Sequence, residues 1–174
     1  MYLRAPRARD RDEFAAALKR SRALHSSWVT TRATPEQFAT YLKRLRRDDH
    51  AGFLVCRRED DAIVGVINLN AIVRGLFHSA YLGYYAFAPH AGKGYMTQGL
   101  QLVMRHAFVK MKLHRLEANI QPGNTASIAL VRRCGFRLEG YSPRYLKIAG
   151  KWRDHERWAV TVEDWRAIRG RRRQ

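Results

Sequence analysis

The sequence predicts an α+β fold, with a mostly antiparallel central sheet covered by helices on both faces. Short runs rich in β-branched and aromatic residues, separated by polar turns, predict strands joined as hairpins. Between them, stretches with apolar residues at helical spacing predict amphipathic helices. No internal repeat, low-complexity stretch or Gly/Ser-rich linker occurs before residue 165. We therefore predict one domain over residues 1–165, followed by a basic C-terminal tail at residues 166–174.

The first half of the chain carries two helix-start signals. Asp10, with Glu13 three residues later, forms an acidic N-cap pattern ahead of apolar residues at helical spacing. Thr34 followed by Pro35 repeats the signal, because proline is favoured at the first helical position. From Gly52 the pattern changes to β-rich runs on either side of a polar turn. The predicted elements are a strand at 2–5, helices beginning at 10 and 34, the second ending near 49, and hairpin strands at 53–56 and 62–67.

In the second half, a third strand leads through a loop with two glycines into a long amphipathic helix. The rest of the chain alternates strand, helix and a final pair of strands. We predict strands at 78–87, 115–120, about 138–148 and about 152–161, and helices at about 95–112 and at 124–134, the latter closed by Gly135.

The net charge is the unusual bulk property. Lys and Arg number 33 against 15 Asp and Glu, which gives a formal charge of +18 and a sequence pI near 10.9. Such an excess attracts polyanions, so we expect contact with rRNA or a ribosomal particle; solvated charge without a nucleic-acid partner is the alternative. The run at 169–173 predicts a disordered basic tail.

The two cysteines, Cys56 and Cys134, lie far apart and outside any C-x-x-C spacing. This pattern suggests neither a disulfide framework nor a zinc site, so we predict no metal and a reducing, cytoplasmic location. The N-terminus is too polar for a signal peptide, and no apolar run approaches the ~20 residues of a membrane span. We expect no membrane association, and either a monomer or a homodimer agrees with the sequence.

The glycine loop between the third strand and the long helix is a candidate anion site. Gly92 and Gly94 lack the side chains that would block a phosphate, and Lys93 adds a positive charge. Tyr95 and Met96 begin the helix, where free backbone N–H groups and the helix dipole favour an anion. The loop is neither a Walker loop nor a G-x-G-x-x-G loop. A pyrophosphate fits here, and a plain tight turn is the alternative.

Four blocks of sequence carry a family resemblance: residues 83–89, 92–96, 124–127 and 133–136. Together they resemble the acetyl-CoA core of the GNAT superfamily of N-acetyltransferases, in which the strand before the loop splays from its neighbour and pairs with the pantetheine arm. The resemblance implies a GNAT-like fold with the sheet splayed at the acetyl-CoA site. It also implies that Phe87 offers backbone groups to pantetheine and that Gly92 to Met96 hold the pyrophosphate.

The loop departs from the superfamily pattern at Ala91 and Met96, so main-chain N–H groups must hold the pyrophosphate more than a side chain at 91. Asn124 is a candidate for a hydrogen bond to the cofactor arm, with a plain N-cap as its alternative. Arg132 and Arg133 are candidates for the 3′-phosphate of acetyl-CoA, and we predict that Arg133 is the one that binds it.

A further set of blocks is similar to the RimJ branch of that superfamily: residues 73–78, 81–84, 114–115, 138–141 and 150–155. Members of that branch acetylate the N-terminal alanine of a small-subunit ribosomal protein. The resemblance covers about residues 60–165, and the first 50 residues match only in general layout. It implies an acetyl-CoA-dependent N-acetyltransferase whose partner is the N-terminus of a ribosomal protein beginning with Ala or Ser.

The catalytic residues are less clear from the pattern. Many GNAT enzymes carry a glutamate base where this chain has Asn119, which can orient a water but cannot take a proton. Glu117 is the first substitute because it lies on the same strand face, although it is equally explained as an exposed strand carboxylate. The tyrosine that some relatives use as proton donor falls on Val131. Ser127 is the remaining candidate to face the sulfur, with a helix-start serine as its alternative.

The pKa of the acceptor amine decides how strong a base the enzyme needs. An α-amine titrates near 7.7 to 8.0 and a lysine amine near 10.4, so only the α-amine is partly neutral at neutral pH. This favours direct transfer to a protein N-terminus in a ternary complex. Two alternatives stay open: acetylation of a small cationic amine such as a polyamine or aminoglycoside, and a catalytically inactive basic module that binds RNA.

Overall fold

In the computed structural model, which describes residues 1–25, 28 and 34–171, a seven-stranded sheet runs through the molecule. The strand order is β1-β2-β3-β4-β5-β7-β6, and every neighbouring pair is antiparallel except β4 and β5. The α+β prediction and the mostly antiparallel sheet are confirmed. The strands are β1 (Tyr2–Arg4), β2 (Ala51–Cys56), β3 (Ile63–Val73), β4 (Ser79–Ala86), β5 (Arg115–Ile120), β6 (Arg137–Ile148) and β7 (Lys151–Thr161).

Helices cover both faces of the sheet, as predicted. The helices are α1 (Arg11–Arg20), α2 (Arg22–His25), α3 (Pro35–Arg44), α4 (Tyr95–Arg105), α5 (Thr125–Arg133) and α6 (Val162–Arg171), with a 3-10 turn at Ala8–Asp10 and a π-helical turn at His106–Lys110. α1 and α3 pack on one face of the sheet, where Phe14, Phe38 and Phe87 share a core cluster. α4 and α5 pack on the other face, where Leu100 and Val131 belong to the larger cluster.

The long helix lies very close to the sheet at Gly99. A Cβ atom at this position would lie 2.8 Å from both methyl carbons of Val55 on β2, which is closer than packed side chains allow. The missing side chain therefore lets α4 approach β2 and fixes the position of its N-terminus relative to the sheet. Gly99, Leu100 and Val103 are all buried along this contact.

The structure differs from the predictions in several elements. The helix predicted over 95–112 ends at Arg105, where a π-helical turn follows it. The helix predicted to end near 49 ends at Arg44, and the strand predicted over 62–67 extends to Val73. The short helix α2 was not predicted. The basic tail predicted at 166–174, with a disordered run at 169–173, is instead part of α6 up to Arg171, and residues 172–174 lie outside the described part of the chain.

α6 has two causes, one local and one long-range, that the basic composition concealed. Thr161 and Asp164 cap its first turn reciprocally, with the Asp164 N–H donating to Thr161 Oγ1 and the Thr161 N–H donating to the Asp164 carboxylate. Trp165 is buried against Phe108, with 5.5 Å between the ring centroids. None of the helices within residues 1–25, 28 and 34–171 is both long and apolar enough to cross a bilayer.

Candidate active site

The sheet opens between β4 and β5. These parallel strands share only three residue pairs, Ser79 with Arg115, Ala80 with Leu116 and Tyr81 with Glu117, although β4 continues five residues further. The sheet is therefore splayed beyond Tyr81, as the resemblance implied. A cleft of about 660 Å³ lies at this opening, which is a size typical of small-ligand sites. It is lined by β4, the glycine loop, the start of α4, α5 and the residues around α2.

The main chain of β4 presents hydrogen-bonding groups to this opening. Phe87 faces the other way, because its N–H donates to the Val64 carbonyl at 2.8 Å and its carbonyl accepts from the His90 N–H at 2.9 Å. Backbone groups alternate in direction along an antiparallel strand, so Tyr84 and Ala86 face the gap. The expectation for Phe87 is therefore corrected: its side chain is wholly buried and its backbone groups already have partners within the protein.

His25 hydrogen-bonds to one of those backbone groups, the Ala86 carbonyl. Its Nε2 lies 2.7 Å from the Ala86 carbonyl oxygen, and its ring packs edge-on against Tyr85. Ser21, at the end of α1, brings α2 to this position, because its hydroxyl donates to the Ala17 carbonyl and accepts from the Ala88 N–H. The N–H of Ala86 and both backbone groups of Tyr84 are left to face the opening.

The glycine loop has the backbone geometry that an anion site needs. Gly92 and Gly94 have φ values of 78° and 79°, a left-handed conformation that favours glycine, and no atom lies within 4 Å of where either Cβ would be. Gly94 is the N-cap of α4, so the unpaired N–H groups of the first turn point toward the loop. Tyr95 and Met96 line the cleft with both glycines, whereas Lys93 is exposed and lies outside the lining.

Two predicted cofactor residues on α5 also line the cleft. Asn124 is the N-cap of this helix, and its Oδ1 accepts from the Ser127 N–H at 3.2 Å, which leaves the side-chain NH₂ as a donor. Arg133 reaches toward Thr97 at the start of α4, with 3.4 Å between Nη1 and Oγ1. Arg132 turns away and stacks over Trp158, 5.0 Å from the ring centroid. Arg133 is thus the better placed of the two arginines for a phosphate.

Tyr84 and Ser127 meet across the cleft. Their hydroxyl oxygens lie 2.7 Å apart, which joins the splayed strand β4 to the first turn of α5. Burial raises the pKa of Tyr84, so its phenol stays protonated. Val131, one turn beyond Ser127, is wholly buried and offers no hydroxyl. The sequence pattern grouped Tyr84 only with the aromatic residues of its strand, since its partner lies 43 positions away.

Glu117 and Asn119 lie at the same opening but on the opposite face of the sheet. On β5 they alternate with Leu116 and Ala118, whose side chains belong to the cluster under α4 and α5. Glu117 accepts from Arg115 Nε at 2.9 Å, and Arg115 also pairs with Glu139. The Asn119 Oδ1 atom is buried and has no hydrogen-bond partner. A buried acceptor without a donor is costly, so this oxygen suits the N–H of a ligand or a water.

Neither of these two residues lines the 660 Å³ cleft. The predicted site is therefore divided by the sheet. Ser127 and the candidate cofactor residues other than Phe87 and Lys93 line the cleft, and the catalytic candidates Glu117 and Asn119 lie on the opposite face. Among the residues described, no group of three or more His, Cys, Asp or Glu side chains is placed to hold a metal ion.

Comparison with known proteins agrees with this geometry. The model of the acetyltransferase (GNAT) domain matches residues 1–137. The chain belongs to the GNAT acetyltransferase family. It is therefore an acetyltransferase, and its splayed strand and glycine loop belong to the blocks of sequence that resemble the GNAT core.

Two curated GNAT relatives and one solved structure illustrate the similarity. The probable N-acetyltransferase YjcK of Bacillus subtilis is 34% identical over 137 residues, which cover 79% of this chain and 76% of the relative. The ribosomal protein uS5-alanine N-acetyltransferase of Escherichia coli is 42% identical over 107 residues, 62% of this chain and 55% of that enzyme. Mycobacterium smegmatis RimJ in complex with CoA-disulfide superposes with a TM-score of 0.86 at 29% identity, covering 93% of this chain and 82% of that one.

Proposed function

We propose that this GNAT enzyme transfers the acetyl group of acetyl-CoA to the N-terminal α-amine of a ribosomal protein that begins with Ala or Ser. One observation carries the proposal: a single cleft joins the glycine loop at the start of α4 to the splayed edge of β4 and to Ser127. A ligand with a diphosphate at one end and a thioester at the other matches this arrangement. The 42% identity with a ribosomal protein alanine N-acetyltransferase supports the choice of acceptor.

The hydrogen-bonding and charged groups of the cleft match the chemical groups of acetyl-CoA. The N–H groups of Tyr95 and Met96 and the open glycines at 92 and 94 suit its diphosphate, because the positive end of the helix dipole lies there. The backbone groups of Tyr84 and the N–H of Ala86 suit the amides of the pantetheine arm. We propose that Asn124 hydrogen-bonds the arm and that Arg133 meets the 3′-phosphate.

The opposite face suits a weakly basic amine. Asn119 offers an unpartnered buried oxygen that can accept a hydrogen bond from the amine or from a water beside it. Glu117 is the carboxylate that β5 carries on that face, and its pairing with Arg115 orients it. About a tenth of α-amines are already neutral at neutral pH by their pKa range, so a strong base is unnecessary. Direct transfer within a ternary complex then needs only correct orientation.

The charge of the chain suits a ribosomal partner. A formal charge of +18 attracts a particle whose surface is rich in phosphate, and it repels free polyamines at long range. We propose that the basic surface contacts rRNA near the acceptor protein, with binding that weakens as salt rises. A cytoplasmic location follows from that partner.

The test uses purified protein, acetyl-CoA and a panel of amines, with released thiol as the measurement. The panel contains peptides that begin with Ala, Ser or Met, the same Ala peptide with a blocked N-terminus, and spermidine. We expect turnover with the Ala and Ser peptides and none with the blocked peptide. Turnover confined to spermidine would replace the proposed acceptor, and no turnover together with salt-sensitive RNA binding would show an inactive RNA-binding module.

A further inference from the structure

We propose that Tyr84 is a positioning residue that directs the hydroxyl proton of Ser127 into the cleft, where Ser127 donates a hydrogen bond to the departing thiolate of coenzyme A. This inference rests on acetyl-CoA as the donor in the proposed function, and it holds for any acceptor amine. It assigns a role to a strand residue that the sequence pattern linked only to packing.

The two hydroxyls are held by different elements of the fold. Tyr84 projects from the part of β4 that has left β5, toward the face covered by α4 and α5. Ser127 stands in the first turn of α5, which Asn124 caps through the Ser127 N–H. Both residues line the cleft, and their oxygens are 2.7 Å apart, a normal length for a hydrogen bond between hydroxyls.

The direction of this hydrogen bond follows from the chemistry of the two hydroxyls. A phenol is a stronger acid than an alkyl alcohol, so its O–H is the better donor and the serine oxygen is the better acceptor. Tyr84 is half-buried and keeps its proton, and Ser127 Oγ lies at the right distance to accept it. Ser127 then accepts from Tyr84, and its own proton must point away from the tyrosine. The open side of Ser127 is the cleft.

Without Tyr84 nothing fixes the rotation of the serine hydroxyl. A hydroxyl rotates to suit the partners around it, and Ser127 stands in the first turn of α5 beside the open cleft. A hydroxyl that rotates freely offers its proton to the sulfur only part of the time. The tyrosine therefore acts on the orientation of Ser127 and not on the coenzyme itself.

The chemical step that benefits is the loss of sulfur. When the tetrahedral intermediate collapses, the carbon–sulfur bond breaks, its electron pair moves to sulfur and the amide forms. A donor aimed at the sulfur stabilises the charge that develops there. A thiol titrates near 8.5, far below a serine or a buried tyrosine, so neither hydroxyl gives up its proton. The amine proton passes to water on the acceptor side, and the thiolate takes a proton from water.

The kinetic test is a double-mutant cycle of Tyr84→Phe and Ser127→Ala, measured as kcat with whichever amine the wild type acetylates. We expect Ser127→Ala to lower kcat about 10- to 100-fold and Tyr84→Phe about fivefold, the effect of one ordinary hydrogen bond. Because Tyr84 acts through Ser127, Tyr84→Phe should have no further effect in the Ser127→Ala protein. KM for acetyl-CoA should change less than about twofold in all three variants.

Tyr41→Phe is the matched control. It removes the hydroxyl of a half-buried tyrosine whose hydrogen bond to Asn68 is also 2.7 Å long, but which lies on the face covered by α3 and away from the cleft lining. We expect its kcat to equal that of the wild type. An equal loss from Tyr84→Phe in both backgrounds would overturn the inference, as would a loss in KM alone. Absence of turnover by the wild type would instead overturn the proposed function.

A binding measurement tests the same contact without turnover. If Ser127 donates to the thiolate, coenzyme A should bind about tenfold more tightly above its thiol pKa of about 8.5 than below it. Coenzyme A that lacks the thiol should show no such change. Titration calorimetry at about pH 7 and about pH 10 should find the difference reduced to about twofold in Tyr84→Phe and absent in Ser127→Ala. A full pH effect in both variants would overturn the inference.

Discussion

Glu117 and Tyr81 form the last residue pair that β4 and β5 share before the two strands diverge. Burial and then the charge of Glu117 raise the pKa of Tyr81, which reflects how close the carboxylate lies to that ring. The carboxylate therefore marks the point where the opening begins, on the face from which we propose the amine approaches.

The first prediction concerns that carboxylate. Glu117→Gln should lower kcat/KM for an Ala-initiated peptide about 10- to 100-fold if the carboxylate assists proton removal. Glu139→Gln is the control, because Glu139 is the other carboxylate partner of Arg115 and its loss also frees that arginine. We expect nearly normal activity from Glu139→Gln in the same thiol-release assay. Equal losses of kcat/KM in the two variants would mean that the pairing of Arg115, and not a base at position 117, supports activity.

The second prediction concerns the glycine loop. Gly94→Asp should weaken acetyl-CoA binding about tenfold or more, because it adds an anion beside the proposed diphosphate position. Gly150→Asp is the matched control: Gly150 has the same φ of 79° and equally open space, but it lies in the turn between β6 and β7. Both variants place Asp at the same left-handed φ, so calorimetry separates the effect of the charge beside the loop from the effect of that φ. Unchanged affinity in Gly94→Asp would mean that the diphosphate lies elsewhere.

The third prediction is a pH dependence of stability. Asp10 is buried, which by itself opposes ionisation, but Arg4 and the Arg7 N–H outweigh this and lower the pKa of Asp10 overall. A carboxyl whose pKa is lowered on folding stabilises the fold fully at pH values above its unfolded pKa of about 3.9. This stabilisation is lost as the pH falls through the pKa of the folded state. Asp10→Asn should therefore cost about 2 kcal/mol near neutral pH, and the deficit should shrink in acid.

Urea unfolding at about pH 7 and about pH 3 measures this difference. Asp12→Asn serves as control, since Asp12 is also paired with an arginine but is exposed to solvent. An exposed pair contributes little, so the stability of Asp12→Asn should match the wild type at both pH values. A deficit in Asp10→Asn that persists undiminished in acid would contradict the assigned cause.

The fourth prediction concerns the contact between α4 and β2. Gly99→Ala should destabilise the protein by about 1 kcal/mol, because the new Cβ meets Val55, although alanine is the better helix former. In a Val55→Ala background the same change should be stabilising, since the methyl groups that it meets are gone. Denaturant unfolding of the four proteins gives the coupling. Additive effects would show that the helix shifts freely away from the sheet.

The sequence predicted those parts of the fold whose signals are local. β5 was predicted over its observed range, and the starts of α1, α3 and α4 follow from residues at or just before each helix, such as Thr34 and Gly94. The π-helical turn after Arg105 was missed because the apolar spacing continues through it. α6 was missed because its arginines resemble a solvated tail, while the burial of Trp165 depends on the distant Phe108.

In the candidate site, too, residues in local motifs could be predicted and residues placed by tertiary structure could not. Gly92, Gly94, Asn124, Ser127 and Arg133 could be proposed from motifs, and all of them line one cleft. The direction in which Phe87 faces and the contact of Tyr84 with Ser127 could not be predicted, because they depend on the register of the strand and on what approaches from another element. The family resemblance located the cleft, but only the register of β3 and β4 identified the backbone groups that face it.

The sheet separates two faces of the molecule, and the narrow slit between β4 and β5 connects them. Under the proposed function, the leaving sulfur is met on one side of it and the incoming amine on the other, so the two products have separate exits. A partner as bulky as a ribosomal particle never has to enter the enzyme, since only the first few residues of its chain need reach the slit. The size of the acceptor is then limited by what can dock on the outer surface and not by the volume of any cavity.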